Sequence, residues 1–414
     1  LALCMVFALC ACGQSAAPAT EAPAAEEAAP AAEDAAPAED AAPAEEAEGE
    51  YKIAMITDYG DITDQSFNQT TYEACKAFAE DNGVEFTYFK PAGDSTADRV
   101  AMIEKAADEG YNVIVMPGYA FGGAIVEAAP EFPDVKFIAL DVGKGDLLET
   151  AVANAGESYD YNPDNWNLDE YVDMSNVYCA IYQEELCGYM AGYAAVKLGY
   201  TKLGFLGGMA VPAVIRYGYG FVQGVDAAAA ELGLTDVSLN YVYGGQFFGD
   251  ADITAVMDTW YADGTEVVFA CGGGIYSSAC EAAQKVNGKV IGVDTDQSAI
   301  IDAAYGEGMT VTSAMKGLYP ATYDTLTDVV INGNWDKYVG QIATLGLVSG
   351  DDPEANYVQI PMTTQFEDGK FTVEDYTALV GAMFDGTLTV SNDTSKAASD
   401  FATVITVNDQ GSIK

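Results

Sequence analysis

The chain is predicted to be an α/β protein of two lobes, each built on a parallel sheet, and three observations lead there. Its 414 residues exceed one ordinary domain and can bury two cores. From Tyr51 onward, short apolar or β-branched runs alternate with amphipathic stretches, an order that lays successive strands parallel with helices on both faces. A polar, aromatic-rich insertion, Gly156 to Ser175 with Trp166 inside it, breaks the alternation, which then starts again and so asks for a second sheet.

The elements follow in order. Lys52 to Thr57, Val84 to Lys90, Asn112 to Met116 and Lys136 to Leu140 have strand length and composition. Between them Ser66 to Asp81, Ala97 to Glu109 and Gly122 to Phe132 carry apolar residues near helical spacing. After the insertion come strands at Lys202 to Gly207, Ser238 to Tyr243, Glu266 to Ala270 and Lys289 to Val293. Helices at Ala213 to Leu232, Asp250 to Asp263 and Ser277 to Val286 separate them. Open sheets of this kind hold ligands beyond the carboxyl ends of their strands, so two that face each other form a cleft.

Residues 1–50 read differently. Leu1 to Ala11 is apolar, uncharged and too short to span a bilayer, and with no Met or basic stretch before it, it reads as a leader whose start lies upstream. Residues 13–50 are a ragged Ala, Pro and Glu repeat with eleven acids and no base, which cannot bury a core. We expect a self-repelling tether reaching up to roughly 120 Å if extended at about 3.1 Å per residue.

The whole chain carries 64 acids against 17 bases, a formal charge of -47, which argues against nucleic acid as a partner and favours a monomer. It has no histidine, which removes the His-dependent nucleophile systems and the commonest zinc sets. Five cysteines lie beyond the leader, Cys75, Cys179, Cys187, Cys271 and Cys280, at spacings that match no metal pattern, and we expect buried free thiols. No metal and no cofactor is expected.

Polar residues stand where strands end: Asp58 after the first, Asp141 after the fourth, Cys271-Gly272-Gly273-Gly274 after Ala270, and Asp294-Thr295-Asp296-Gln297 after Val293. Taken alone, Asp58 and Asp141 can each either accept a ring N–H of a ligand or cap the next helix. The glycines let backbone approach a ligand at a helix start, although neither the phosphate-loop nor the dinucleotide spacing is present.

Four segments, in order, resemble the basic membrane protein family of substrate-binding lipoproteins: ITDYGDITDQSFNQ, GFLGGMAVPAVIRYGYGF, VIGVDTDQ and TSAMKG. The resemblance runs from Tyr51 to about Leu347 and implies a type I periplasmic-binding-protein fold, two Rossmann-like lobes joined by three hinge crossovers. It divides the chain into a lobe at 51–175 with a returning segment near 298–330, and a lobe at 176–297 to which 331–414 contribute. It also implies a purine nucleoside as ligand and an ABC permease as partner.

Leu9-Cys10-Ala11-Cys12-Gly13 is similar to a lipobox, which implies lipid on Cys12 and attachment to the extracytoplasmic face of a bacterial membrane. Carried over by motif, Asp294 and Lys316 grip the ribose hydroxyls, while Phe67 and Asn68 contact the base by stacking and by amide hydrogen bonds. Phe248 is the candidate for the opposing aromatic, with its neighbour Phe247 one register away.

Asp61, the insertion and GLYPATYDTL after Lys316 depart from the family pattern, and the insertion either covers the cleft mouth or decorates a lobe. Two other readings stay open. One is a surface sensor for a sugar or flavin without import; the other is a nucleoside hydrolase using Asp58 or Asp294.

Overall fold

The computed structural model describes residues 51–414; the leader, Cys12 and the 13–50 tether lie outside the described residues. The chain begins β1 (Lys52–Ile56), α1 (Phe67–Asn82), β2 (Glu85–Phe89), α2 (Thr96–Asp108), β3 (Val113–Pro117), α3 (Phe121–Ala128), β4 (Lys136–Leu140), α4 (Lys144–Asn154) and β5 (Val177–Tyr182). It continues α5 (Glu184–Leu198), β6 (Lys202–Gly207), α6 (Pro212–Leu232), β7 (Ser238–Tyr243), α7 (Ala251–Ala262), β8 (Val267–Cys271), α8 (Tyr276–Ala283), β9 (Lys289–Asp294), α9 (Ser298–Tyr305) and β10 (Thr310–Lys316). Last come α10 (Leu318–Leu326), β11 (Ile342–Leu345), β12 (Val358–Gln359), α11 (Val373–Phe384) and β13 (Thr406–Ser412).

Two sheets result, ordered β11-β5-β4-β3-β1-β2 and β12-β10-β9-β8-β6-β7-β13. Every pairing is parallel except β12 with β10. The central strands β3 and β8 are buried along their whole length, as expected of parallel strands covered on both faces. All five cysteines named above are free and buried.

The lobes divide differently from the boundaries read in the sequence. β5 pairs with β4, so the first sheet runs on to Tyr182 rather than stopping near 175. β9 and β10 belong to the second sheet, so the segment 298–316 does not return. What returns is α10, which packs on α1, and β11, which pairs with β5. The pairing that decides this joins residues far apart in the chain and leaves no trace in local periodicity.

Three crossovers connect the lobes, at 182–184, 316–318 and 345–358. They lie side by side: Gln183 N–H donates to the Leu345 carbonyl (3.0 Å), Tyr357 N–H to Gly346 (3.0 Å) and Gly317 N–H to Tyr357 (2.7 Å). The insertion lies along α4, where Tyr161 donates to Glu149 and a Cβ on Gly145 would stand 3.3 Å from the Tyr159 hydroxyl. Its rings pack on one another, Tyr159 on Trp166 and Trp166 on Tyr171, and none of its residues lines the cleft.

Candidate ligand-binding cleft

The carboxyl ends of β1, β3 and β4 face those of β8, β9 and β10 across a cleft with about 680 Å³ not filled by protein atoms, part of it open to solvent. Eight of the nine candidate residues line it: Asp58, Phe67, Asn68, Asp141, Gly272, Gly273, Asp294 and Lys316. The ninth, Phe248, is 62% exposed and turned outward, and its neighbour Phe247 lines the cleft instead. The reason is steric: a Cβ on Gly208 would stand 2.6 Å from the Phe247 ring and one on Gly272 3.2 Å, so two glycines make the notch the ring fills.

Lys316, at the end of β10, is buried, with 3% of its side chain exposed. Its ammonium pairs with Asp141 of the other lobe and lies 3.5 Å from Glu184 and 3.7 Å from Asp294. It also sits 4.6 Å from the centre of the Phe67 ring, a cation–π distance. Burial works against its charge, yet the Asp141, Asp294 and Glu184 carboxylates hold its pKa above the ordinary lysine value. Glu184, at the first turn of α5, is fully buried and receives Arg216 Nε at 2.6 Å. Burial alone would raise its pKa; Arg216 and Lys316 bring it below the usual value.

Asp141 and Asp294 both have left-handed backbone, φ of 60° and 64°, which is uncommon for a residue with a side chain and collects at functional sites. Neither caps the helix that follows. Asp146 accepts the Gly143 N–H at the start of α4, and Asp296 accepts the Ser298 N–H at the start of α9. Asp141 Oδ1 is buried with no hydrogen-bond partner inside the protein. Burial raises the Asp141 pKa to about 7, against the pull of Lys316.

Asp294 accepts from Ser66 Oγ (2.6 Å) across the cleft and from Tyr217 Oη (3.2 Å) within its own lobe. Ser66 is the N-cap residue of α1, and its hydroxyl makes no bond to that helix. Asp64 takes over the cap, accepting the N–H groups of Ser66 (2.9 Å), Asn68 (3.0 Å) and Gln69 (3.1 Å).

Asn68 reaches the cleft but its amide is engaged by the protein. Its Nδ2 donates to Asp58 (2.9 Å) and Asp64 (3.0 Å), and its Oδ1 accepts the Asp58 N–H (3.2 Å). It therefore fixes Asp58 rather than presenting a free edge of its own. Asp58 is half-buried, and desolvation raises its pKa although Gly60 N–H and Asn68 donate to it. Four participants escaped sequence reading: Ser66, Tyr217, Glu184 and Asp64. Each looks ordinary in sequence, a cap serine, a helix tyrosine, a first-turn acid and a loop acid; in the fold Tyr217 and Asp64 line the cleft, and Ser66 and Glu184 bond to residues that line it.

Comparison with known proteins agrees with this geometry. Residues 51–351 match the model of the Bmp family, described as ABC transporter substrate-binding protein PnrA-like. The ABC transporter nucleoside-binding protein BmpA of Lactococcus lactis is 26% identical over 261 residues, 60% of this chain and 65% of that relative, just under two thirds of its length. Basic membrane protein B of Borreliella burgdorferi is 24% identical over 323 residues, 76% of this chain and 82% of the relative. Among solved structures, a solute-binding protein of an ABC transporter system from Aeropyrum pernix superposes with a TM-score of 0.59 at 19% identity, covering 85% of this chain and 90% of that one. Another from Conexibacter woesei gives 0.57 at 21% identity, covering 83% and 99%. The two lobes, the three crossovers and the cleft between them are the periplasmic-binding-protein fold, and the chain belongs to the Bmp family of ABC transporter substrate-binding proteins.

Proposed function

We propose that this chain captures a nucleoside, of the purine type, between its lobes and delivers it to an ABC permease from the outer face of the membrane. The observation that carries the reading is the pairing of Asp294 with Lys316 at the cleft, an acceptor and a donor 3.7 Å apart. A carboxylate takes both protons of a vicinal diol and an ammonium donates to its oxygens, each such bond contributing about 1.5 to 3 kcal/mol. Phe67 and Phe247 supply flat apolar surface for a heterocycle, and Asp58, held by Asn68, is an acceptor for a ring N–H. The Lactococcus relative named as nucleoside-binding supports the ligand class.

Lipid on Cys12 would keep the receptor beside its permease at the end of the tether, as a monomer; two or more acyl chains suffice for stable anchoring. Closure of the lobes on ligand is the signal such a permease reads, because the contacts between lobes exist only when they meet.

Thermal unfolding of ligand-stripped protein with inosine, guanosine, adenosine, free bases, ribose and riboflavin tests the assignment. A ligand at one hundred times its dissociation constant stabilises by about 2.7 kcal/mol, a shift of several degrees. A rise with purine nucleosides and none with ribose is expected. A rise with riboflavin or a free sugar alone would replace the ligand and leave the fold standing.

A further inference from the structure

The family match ends at residue 351, yet the chain continues and wraps the second lobe. Tyr219 Oη donates to the Lys396 carbonyl (2.6 Å) and Gln223 to that of Ser391 (2.9 Å). Asp226 gathers the N–H groups of Thr403 (2.7 Å), Val404 (2.8 Å) and Ile405 (3.2 Å). β13 then adds an edge strand beside β7, and its course delivers Ile413 and Lys414 to the loop that follows β7.

That loop carries Phe247. Ile413 N–H donates to the Tyr243 carbonyl (2.8 Å), and the Lys414 ammonium meets Gln246 Oε1 (3.3 Å) and pairs with Asp250. The Lys414 Cβ lies 3.0 Å from where a Cβ on Gly245 would stand, and Gly245 has φ of +81°, so the tail and the loop backbone are in close approach. Gln246 in turn donates to Asp250 (2.8 Å) and to the Phe248 carbonyl (2.9 Å). From the inner side, Gly274 N–H donates to the Phe247 carbonyl (2.9 Å), and the ring occupies the notch of Gly208 and Gly272. Residues 244–250 are thus clamped between the second lobe and the tail.

We propose that Ile413 and Lys414 are positioning residues for ligand binding: the tail braces the 244–250 loop from outside and so fixes Phe247 against the ligand's ring. The inference rests on the reading of Phe247 as a wall of the ligand cleft. The loop has two glycines at its start and, without the brace, only its inner contacts to hold the ring. Neither tail residue touches the cleft, so each acts through Phe247 alone.

The test is a mutant cycle on the full chain, with guanosine as the probe and isothermal titration as the readout. Lys414→Met should weaken binding about threefold, the exposed ion pair being modest, and adding Ile413→Ser, which takes an apolar side chain off the second-lobe core, about tenfold. Lys414→Arg should restore it. In a Phe247→Leu background Lys414→Met should change affinity by less than about 1.5-fold, because the residue it positions is gone. Amide exchange of residues 244–250 without ligand should quicken in Lys414→Met, with the unfolding midpoint unmoved. An equal loss in the Phe247→Leu background, or unchanged affinity and unchanged exchange, overturns the brace. If the wild-type chain binds no guanosine, the nucleoside reading falls by itself. Exchange then decides alone: quickening confined to 244–250 keeps the brace, and unaltered exchange removes it.

Discussion

Asp294 concentrates the chemistry of the cleft in one side chain. It holds a left-handed backbone, receives Ser66 and Tyr217, and lies beside the Lys316 ammonium. Asp294→Ala should cost at least about thirtyfold in nucleoside affinity by calorimetry, given charge-assisted bonds of about 1.5 to 3 kcal/mol each. A loss within about threefold, roughly 0.6 kcal/mol, would mean that the diol lies elsewhere. Asp141 adds a pH dependence with a definite sign. Its folded pKa is raised by burial to about 7, above the ordinary carboxylate value, so the native state keeps a proton that the unfolded chain has lost. Its contribution to stability is full below the unfolded pKa and falls as pH rises through 7. The unfolding midpoint of Asp141→Asn relative to wild type should therefore improve from pH 5 to about pH 7 and level off above it in ligand-free protein, and a difference independent of pH would refute the assignment. Much of this site was legible, because strand-end acids and a lone lysine after an apolar strand stand out in sequence. Phe247 was not, since adjacent residues in an extended loop point to opposite sides and one position of register exchanges them. Nor was the engagement of Asn68, whose partners Asp58 and Asp64 are fixed only by the turn between them.

At the level of elements, α5 and α6 meet backbone to backbone. A Cβ on Gly188 would lie 2.3 Å from the Tyr217 carbonyl oxygen, and one on Gly192 2.4 Å from that of Phe221. From the other helix, Gly220 would place one 2.0 Å from the Glu185 carbonyl and Gly224 2.1 Å from that of Tyr189. Both helices carry glycines four residues apart, so one face of each is flat enough for direct contact. Gly192→Ala or Gly224→Ala should destabilise by about 1 to 3 kcal/mol in denaturant titration, because overpacking must push the helices apart. The pair matters for function too, since α5 presents Glu184 and α6 presents Arg216 and Tyr217. Local pattern read most of the strands and helices well where a periodic run lay between turn residues. It missed β5, β11, β12 and β13 and the helices α4, α5, α9, α10 and α11. β5 follows directly on the aromatic insertion; β11 and β13 are sheet-edge strands, with β13 almost wholly exposed, so no apolar alternation marks it. Their places are set by pairing across 160 residues or more, as Ile342 with Cys179 and Thr406 with Ser238.

Taken whole, the molecule is held shut by a few bonds between lobes: Ser66 to Asp294, Lys316 to Asp141, and the Gln297 side chain to the Gln65 carbonyl (3.1 Å). Tyr59 and Phe247 add an aromatic contact across the mouth, with ring centres 6.1 Å apart. Separating the lobes breaks all of them, so they bias the open-closed equilibrium. Ser66→Ala removes one and should raise the nucleoside dissociation rate several-fold in stopped-flow displacement, with the association rate nearly unchanged, since most affinity changes within one interface appear in dissociation. We propose that the cleft grips a ribose diol through Asp294 and Lys316. Titration calorimetry of ligand-stripped protein with guanosine and with its 2′,3′-dideoxy analogue tests it most directly. Tight binding of guanosine is expected, with a loss of at least about a hundredfold for the analogue, which lacks the hydroxyls that would make charge-assisted bonds to the carboxylate and the ammonium. Equal affinity for the two would contradict it.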